Sequence, residues 1–258
     1  MSGHSKWSTI KRKKGATDAA RGKVFTKVAR EIMVAAKLGG GDPDGNPRLR
    51  AALLAARAAN MPKENQERAI KKGLGELEGV EYEELLYEGR GPAGSAFVLE
   101  VLTDNRNRTV PELRHILGKA GGEMGASGSA TWMFDHKGVL MFGKSHGPEG
   151  AARDPLDETT LMERALEAGA DDVQDEGDYW VVTCDPTSFS AVEDALADLE
   201  PESAQIQWVV KPENALPLTG EAAIDVAKLW ARLDENDDIQ KVYCNADLPD
   251  DIMEEHGP

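Results

Sequence analysis

Nine basic side chains crowd the start of the chain: Lys6, Lys11, Arg12, Lys13, Lys14, Arg21, Lys23, Lys27 and Arg30, with only Asp18 opposing them and Glu31 just beyond. The chemistry open to such a cluster is electrostatic. It neutralises phosphates and gains free energy from the counterions they release. Trp7, set among the cations, offers a face on which an unpaired base can stack. A merely solubilising surface intersperses both signs of charge, and this one does not, so nucleic-acid contact is the reading adopted. Arg48, Arg50 and Arg57, then Arg68, Lys71 and Lys72, could extend the same surface. Lys71 and Lys72 stand near an expected helix end, where cations also suit the helix dipole, so they carry both readings. The cluster predicts affinity without sequence selectivity: no zinc-finger spacing and no RNP motif accompanies it.

Other constellations are weaker. TDNRNRT (residues 103–109) sets Arg106 and Arg108 in what reads as a polar loop before a helix within acidic surroundings, either a second phosphate or partner contact or simply local charge balance. GRGPAG (residues 89–94) fits G-x-G-x-x-G literally, but it lies between strand-like runs and opens no helix, so a hairpin loop is expected and no dinucleotide cofactor. The five histidines have no metal-ligand spacing, and the acidic runs at 171–178 and 234–238 lack the pattern of a calcium loop. They read as isolated histidines and solvated acidic turns, with no metal and no cofactor. Cys184 and Cys244 each close an apolar run and are expected to be buried free thiols. No nucleophile, base and orienter converge, so neither catalysis nor a small-molecule substrate is expected.

Charge explains how a chain of net charge −16 can seek a polyanion. Residues 1–75 hold 17 Lys and Arg against 6 Asp and Glu, and residues 76–258 hold 13 against 40, so the total divides into +11 and −27. Asymmetry of this size points to a nucleic-acid partner for the basic part. The apolar fraction of 40% and charged fraction of 29% are those of a folded globular protein. No apolar run is long enough for a bilayer, and the start MSGHSKW offers no secretory signal, so no membrane partner and a cytoplasmic location are expected.

Positioning elements follow from periodicity. A helix starts near Asp18 with Val24, Val28, Ile32 and Ala35 on its apolar stripe and Lys23, Lys27, Arg30 and Lys37 on another face. GGGDPDG ends it, Asn46 and Pro47 open a second helix, Asn60 closes that one left-handed, and Pro62 opens a third that Gly73 stops. Beyond residue 75, strands are expected at 83–88, 95–103 and 131–134, and a helix over 109–120 with Thr109 and Glu112 as a capping box. From Gly138 the order strand, helix, strand, strand, helix, strand spells a ferredoxin-like unit, and a final helix and strand complete the earlier part. The class is therefore α/β (α+β) in three domains: a basic helical domain at 1–75, a mixed domain at 76–135 plus 211–258, and a ferredoxin-like domain inserted at 136–210, with consecutive independent domains as the alternative.

Several segments together give the chain a wider likeness: GHSKW (3–7), DPDGNPRLR (42–50), NMPKEN with ERAIKKG (60–73), TDNRNRT with ELRHILGKAGG (103–122) and DDIQKVYCNAD (237–247). With these it resembles the YebC/PmpR family, which also includes mitochondrial translational activators. The resemblance implies three domains, the last inserted in the second. It also implies one of two partners for the basic surface: promoter DNA, as in a transcriptional regulator, or the ribosome and its rRNA, as in a factor that assists translation of proline runs. ATWMF (130–134) and the DENDD run (234–238) depart from the family pattern, and residues 145–176 match it least.

Overall fold

The structure, a computed structural model, describes residues 18–147 and 150–258, with only the backbone described for residues 18–21. The described chain divides into two compact units, one reaching Phe134 and resuming at Val210–Pro258, the other Asp135–Val209.

The first unit opens with helices α1 (Asp18–Gly39), α2 (Pro47–Ala58) and α3 (Lys63–Gly73). Both α2 and α3 pack chiefly on α1. Ile32, Ala35, Leu49, Ala52, Ala56 and Ala69 form their core, flanked by Phe25 and Val28. Val24, expected on the apolar stripe, is exposed. Asn46 joins the first two helices: its Oδ1 accepts from Leu49 N (3.1 Å), while Nδ2 donates to Ala35 O and Gly40 O (both 2.8 Å). Asn60 takes the left-handed conformation at φ 57. At Gly73 a Cβ would collide with Met33 O, so glycine lets α3 approach α1 closely.

Strands β1 (Glu83–Arg90) and β2 (Ala96–Thr103) follow as a hairpin, with helix α4 (Arg106–Lys119) and strand β3 (Glu123–Met124) after them. GRGPAG is the turn of that hairpin and opens no α-helix. The expected strand at 131–134 is a 3₁₀ turn, Thr131–Met133, and β3 takes its place in the sheet. The second unit begins as β4 (Phe134–Gly143) leaves that turn, and continues with α5 (Glu158–Glu167), β5 (Ala170–Asp175), β6 (Tyr179–Cys184), α6 (Phe189–Leu196) and β7 (Ser203–Val210). Its sheet order β5-β6-β4-β7, with β4 and β5 both antiparallel to β6, is ferredoxin-like. One sheet face packs on the helices through Leu140, Phe142, Trp180, Val182, Leu161 and Val192.

The chain then returns to the first unit with β8 (Leu216–Pro217), α7 (Gly220–Asp234), β9 (Ile239–Cys244), β10 (Ala246–Asp247) and α8 (Asp250–His256). Strand β9 pairs antiparallel with β2, giving the order β3-β1-β2-β9. Ala223, Val226, Ala227, Trp230 and Leu233 of α7 are buried against Phe97, Leu99 and Val101 of β2 and Leu113 and Leu117 of α4. Each fully buried Leu or Phe there contributes about 1.5–3 kcal/mol. Cys184 and Cys244 are free and buried, and burial pushes their thiols up to about 11 and about 12.

Candidate nucleic-acid interface

The basic stripe of α1 turns inward over part of its length. Lys27 Nζ donates to Asp234 O at 2.7 Å and pairs with Asp234 Oδ1 at 3.4 Å. Asp234 ends α7, where carbonyls without helical partners form the negative pole, so a cation from α1 caps it. Arg30, three residues on, donates to Leu102 O (3.4 Å) and Asp237 O, pairs with Asp238 Oδ1 (2.9 Å) and lies 5.3 Å from the Tyr82 ring centroid. Lys37 meets Glu81 at 3.2 Å. Lys23 is exposed and pairs with no described residue.

Asp238 is the centre of this seam and is only 3% exposed. Its carboxylate accepts from Arg30, Arg108 (2.9 Å) and Thr109 Oγ1 (2.7 Å), with Thr103 Oγ1 at 3.3 Å. Burial would raise its pKa, but the Arg108 and Thr109 hydrogen bonds and the charges of Arg108 and Arg30 outweigh burial and hold it below the usual carboxylate range. The 234–238 run therefore differs from the solvated turn expected of it: Asp234 and Asp238 are both engaged.

Arg106 and Arg108 do not stand in a loop. Asn105 Oδ1 accepts from Arg108 N at 3.1 Å and starts α4 at Arg106, ahead of the expected cap at Thr109. Thr109 is therefore not the cap: it lies inside the helix, buried, with its hydroxyl within hydrogen-bond distance of Asp238 Oδ2 (2.7 Å) and Asn105 O (3.0 Å). Arg108 is held by Asp104 (2.8 Å) and Asp238. Arg106 is exposed with no described partner.

On α2 the arginines differ. Arg48 Nε pairs with Glu31 at 2.7 Å and Nη1 with Glu84 at 2.5 Å. Burial disfavours its charge, yet those two carboxylates hold its pKa above the ordinary value. Arg50 and Arg57 pair with no described residue, and on α3 the same holds for exposed Arg68, Lys71 and Lys72. Lys6, Trp7, Lys11, Arg12, Lys13, Lys14 and the side chain of Arg21 lie outside the described residues.

Two engaged carboxylates escaped sequence reasoning besides Asp238. Glu88, buried on β1, accepts N–H donors from Gly128 (2.7 Å), Ala130 (2.5 Å) and Thr131 (2.9 Å). Burial opposes its charge, but these backbone donors win and lower its pKa. Sequence alternation gave no signal for it: Leu85 and Tyr87 face the core, so Glu88 falls on the opposite side with exposed Leu86 and is buried there by the 128–131 backbone. Glu202 meets His146 Nε2 at 2.9 Å, so that histidine is not isolated. No group of three or more His, Cys, Asp or Glu suited to a metal occurs among the described residues. Nor does any of their helices have the length and apolarity to cross a membrane.

A mixed α/β protein with a ferredoxin-like unit interrupting a second sheet domain, led by a basic helical layer, is a recognisable architecture. The chain belongs to the TACO1/YebC family: residues 5–76 match the family's N-terminal domain and residues 82–246 its second and third domain. It is 53% identical over 256 residues to a "probable transcriptional regulatory protein" of Desulforapulum autotrophicum, covering 98% of this chain and 99% of that one. A protein of the same description from Geobacter sulfurreducens is 54% identical over 256 residues, with the same coverage. The crystal structure of a conserved hypothetical protein from Aquifex aeolicus matches with a TM-score of 0.76 at 43% identity, over 90% of this chain and 93% of that one.

Proposed function

We propose that this chain is a non-enzymatic regulator of gene expression that binds DNA through its basic helical domain, residues 1–75, carried on mixed domains at 76–135 plus 211–258 and at 136–210. The observation that carries the reading is a division of labour among cations. Lys27, Arg30 and Arg48 are paired within the chain, while Lys23, Arg50, Lys71 and Lys72 remain exposed or half-buried with no described partner. Unpaired cations on a chain of net charge −16 are better explained by an external polyanion than by solubility, which the carboxylates already supply. The names of the relatives point the same way.

The test is binding of a labelled DNA duplex over a salt series. Direct phosphate contact makes log K fall linearly with log salt. Reversing Lys11, Arg12, Lys13 and Lys14 to Glu should abolish binding and leave the circular dichroism unchanged; unaltered binding defeats the role given to these residues. Co-sedimentation with ribosomes that survives deoxyribonuclease, without a footprint on promoter DNA, would move the partner from DNA to rRNA.

A further inference from the structure

We infer that the outward face of α2, built from Arg50, Leu54 and Arg57, is a track for a nucleic-acid backbone, separate from the N-terminal cations. This rests on the nucleic-acid reading above and assigns it a surface.

The three residues are spaced i, i+4 and i+7, which places them within about 60° of arc on one face of a helix. The helix PRLRAALLAARA contains no Asp or Glu at all. Its first turn carries Arg48 and Arg50 at the positive pole of the helix, where cations are unfavourable. Arg48 is compensated there by Glu31 and Glu84, carboxylates supplied from α1 and β1. No described carboxylate compensates Arg50, and none pairs with Arg57.

Between the two arginines Leu54 is 52% exposed, although Leu49 and Ala56 of the same helix are completely buried. The face thus holds two cations with no described partner, at positions about 10.5 Å apart along the helix axis, with an apolar side chain between them. At one phosphate per 3.4 Å of axial rise along a strand, that span covers about three phosphates, and Leu54 would lie against the sugars between them. Charge complementarity selects the occupant: an apolar partner would leave both arginines unpaired.

The experiment measures binding of a DNA duplex and of an rRNA fragment by the full chain, across a salt series, for the unaltered protein, R50A/R57A and L54A. Loss of two phosphate contacts should make the log–log salt slope on duplex DNA shallower by about 1.8. L54A should weaken binding roughly threefold with the slope unchanged. None of the three side chains belongs to the helical core, so both variants should keep the wild-type thermal transition. The probe whose slope changes identifies which polyphosphate occupies the track. If the unaltered chain binds neither probe, the nucleic-acid reading fails and this assignment with it. If it binds and R50A/R57A keeps the wild-type slope on both probes, the α2 assignment alone is overturned, as it is if only an acidic protein competes for this face.

Discussion

Asp238 sits in a run of acids that composition alone would leave in water, yet it is among the most buried charged groups of the first unit. What keeps it ionised is its ring of donors: two arginines from different elements and two threonine hydroxyls. Removing one partner of such a buried pair strands the others, so D238A should lose about 3 kcal/mol in denaturant unfolding. A folded-state pKa below the unfolded one means that the stabilisation is complete above the ordinary carboxylate pKa. It is lost as pH falls through the depressed value. Acid titration of stability should therefore be flatter for D238N than for the wild type, and equal slopes would show that Asp238 does not drive it. Glu88 follows the same sign, and E88Q, which faces three backbone N–H groups with one remaining acceptor, should cost about 2 kcal/mol. Asp238 was not legible in sequence because the donors that ionise it come from residues 30, 103, 108 and 109, far apart along the chain.

The helices show why boundaries were read less well than the elements themselves. Thr109 and Glu112 have capping-box spacing, but the Asn105 side chain accepts from Arg108 N, so α4 begins a turn earlier and Thr109 lies inside it, donating to Asp238. Replacing Asn105 with Ala should cost about 1 kcal/mol in thermal or denaturant unfolding, and a null effect would return the helix start to Thr109. The α1–α2 junction is read correctly from GGGDPDGNP, since loop glycines and an Asn-Pro start act locally. There N46A should cost more than an ordinary cap, roughly 2 kcal/mol, because Nδ2 also ties the end of α1 at Ala35 and Gly40. Amphipathic faces were the most legible feature: Ala223, Val226, Ala227, Trp230 and Leu233 recur at helical spacing along α7, and all five are buried.

For the molecule as a whole, the charge division at residue 75 remains the governing quantity, but the structure changes where its consequences are felt. Part of the basic front closes on the acidic rear: α1 docks on the end of α7, and among the described cations Lys27 and Arg30 are taken up in that seam. The second unit has its own core and a complete ferredoxin-like strand order, so residues 135–209 expressed alone should unfold cooperatively. A broad, non-cooperative transition would show that its stability is borrowed.

By itself the sequence determined the class of the fold, the order of its main elements, the ferredoxin-like pattern and the segregation of charge, because each is written in periodicity, turn residues or composition within short windows. Only the tertiary structure decided which cations are available. Lys23, Lys27 and Arg30 share one helical face and look equivalent in sequence, yet Lys27 and Arg30 meet carbonyls and carboxylates more than 200 residues away and Lys23 does not. Pairing depends on distance in space, and for charges so far apart along the chain that distance is set by how whole elements pack.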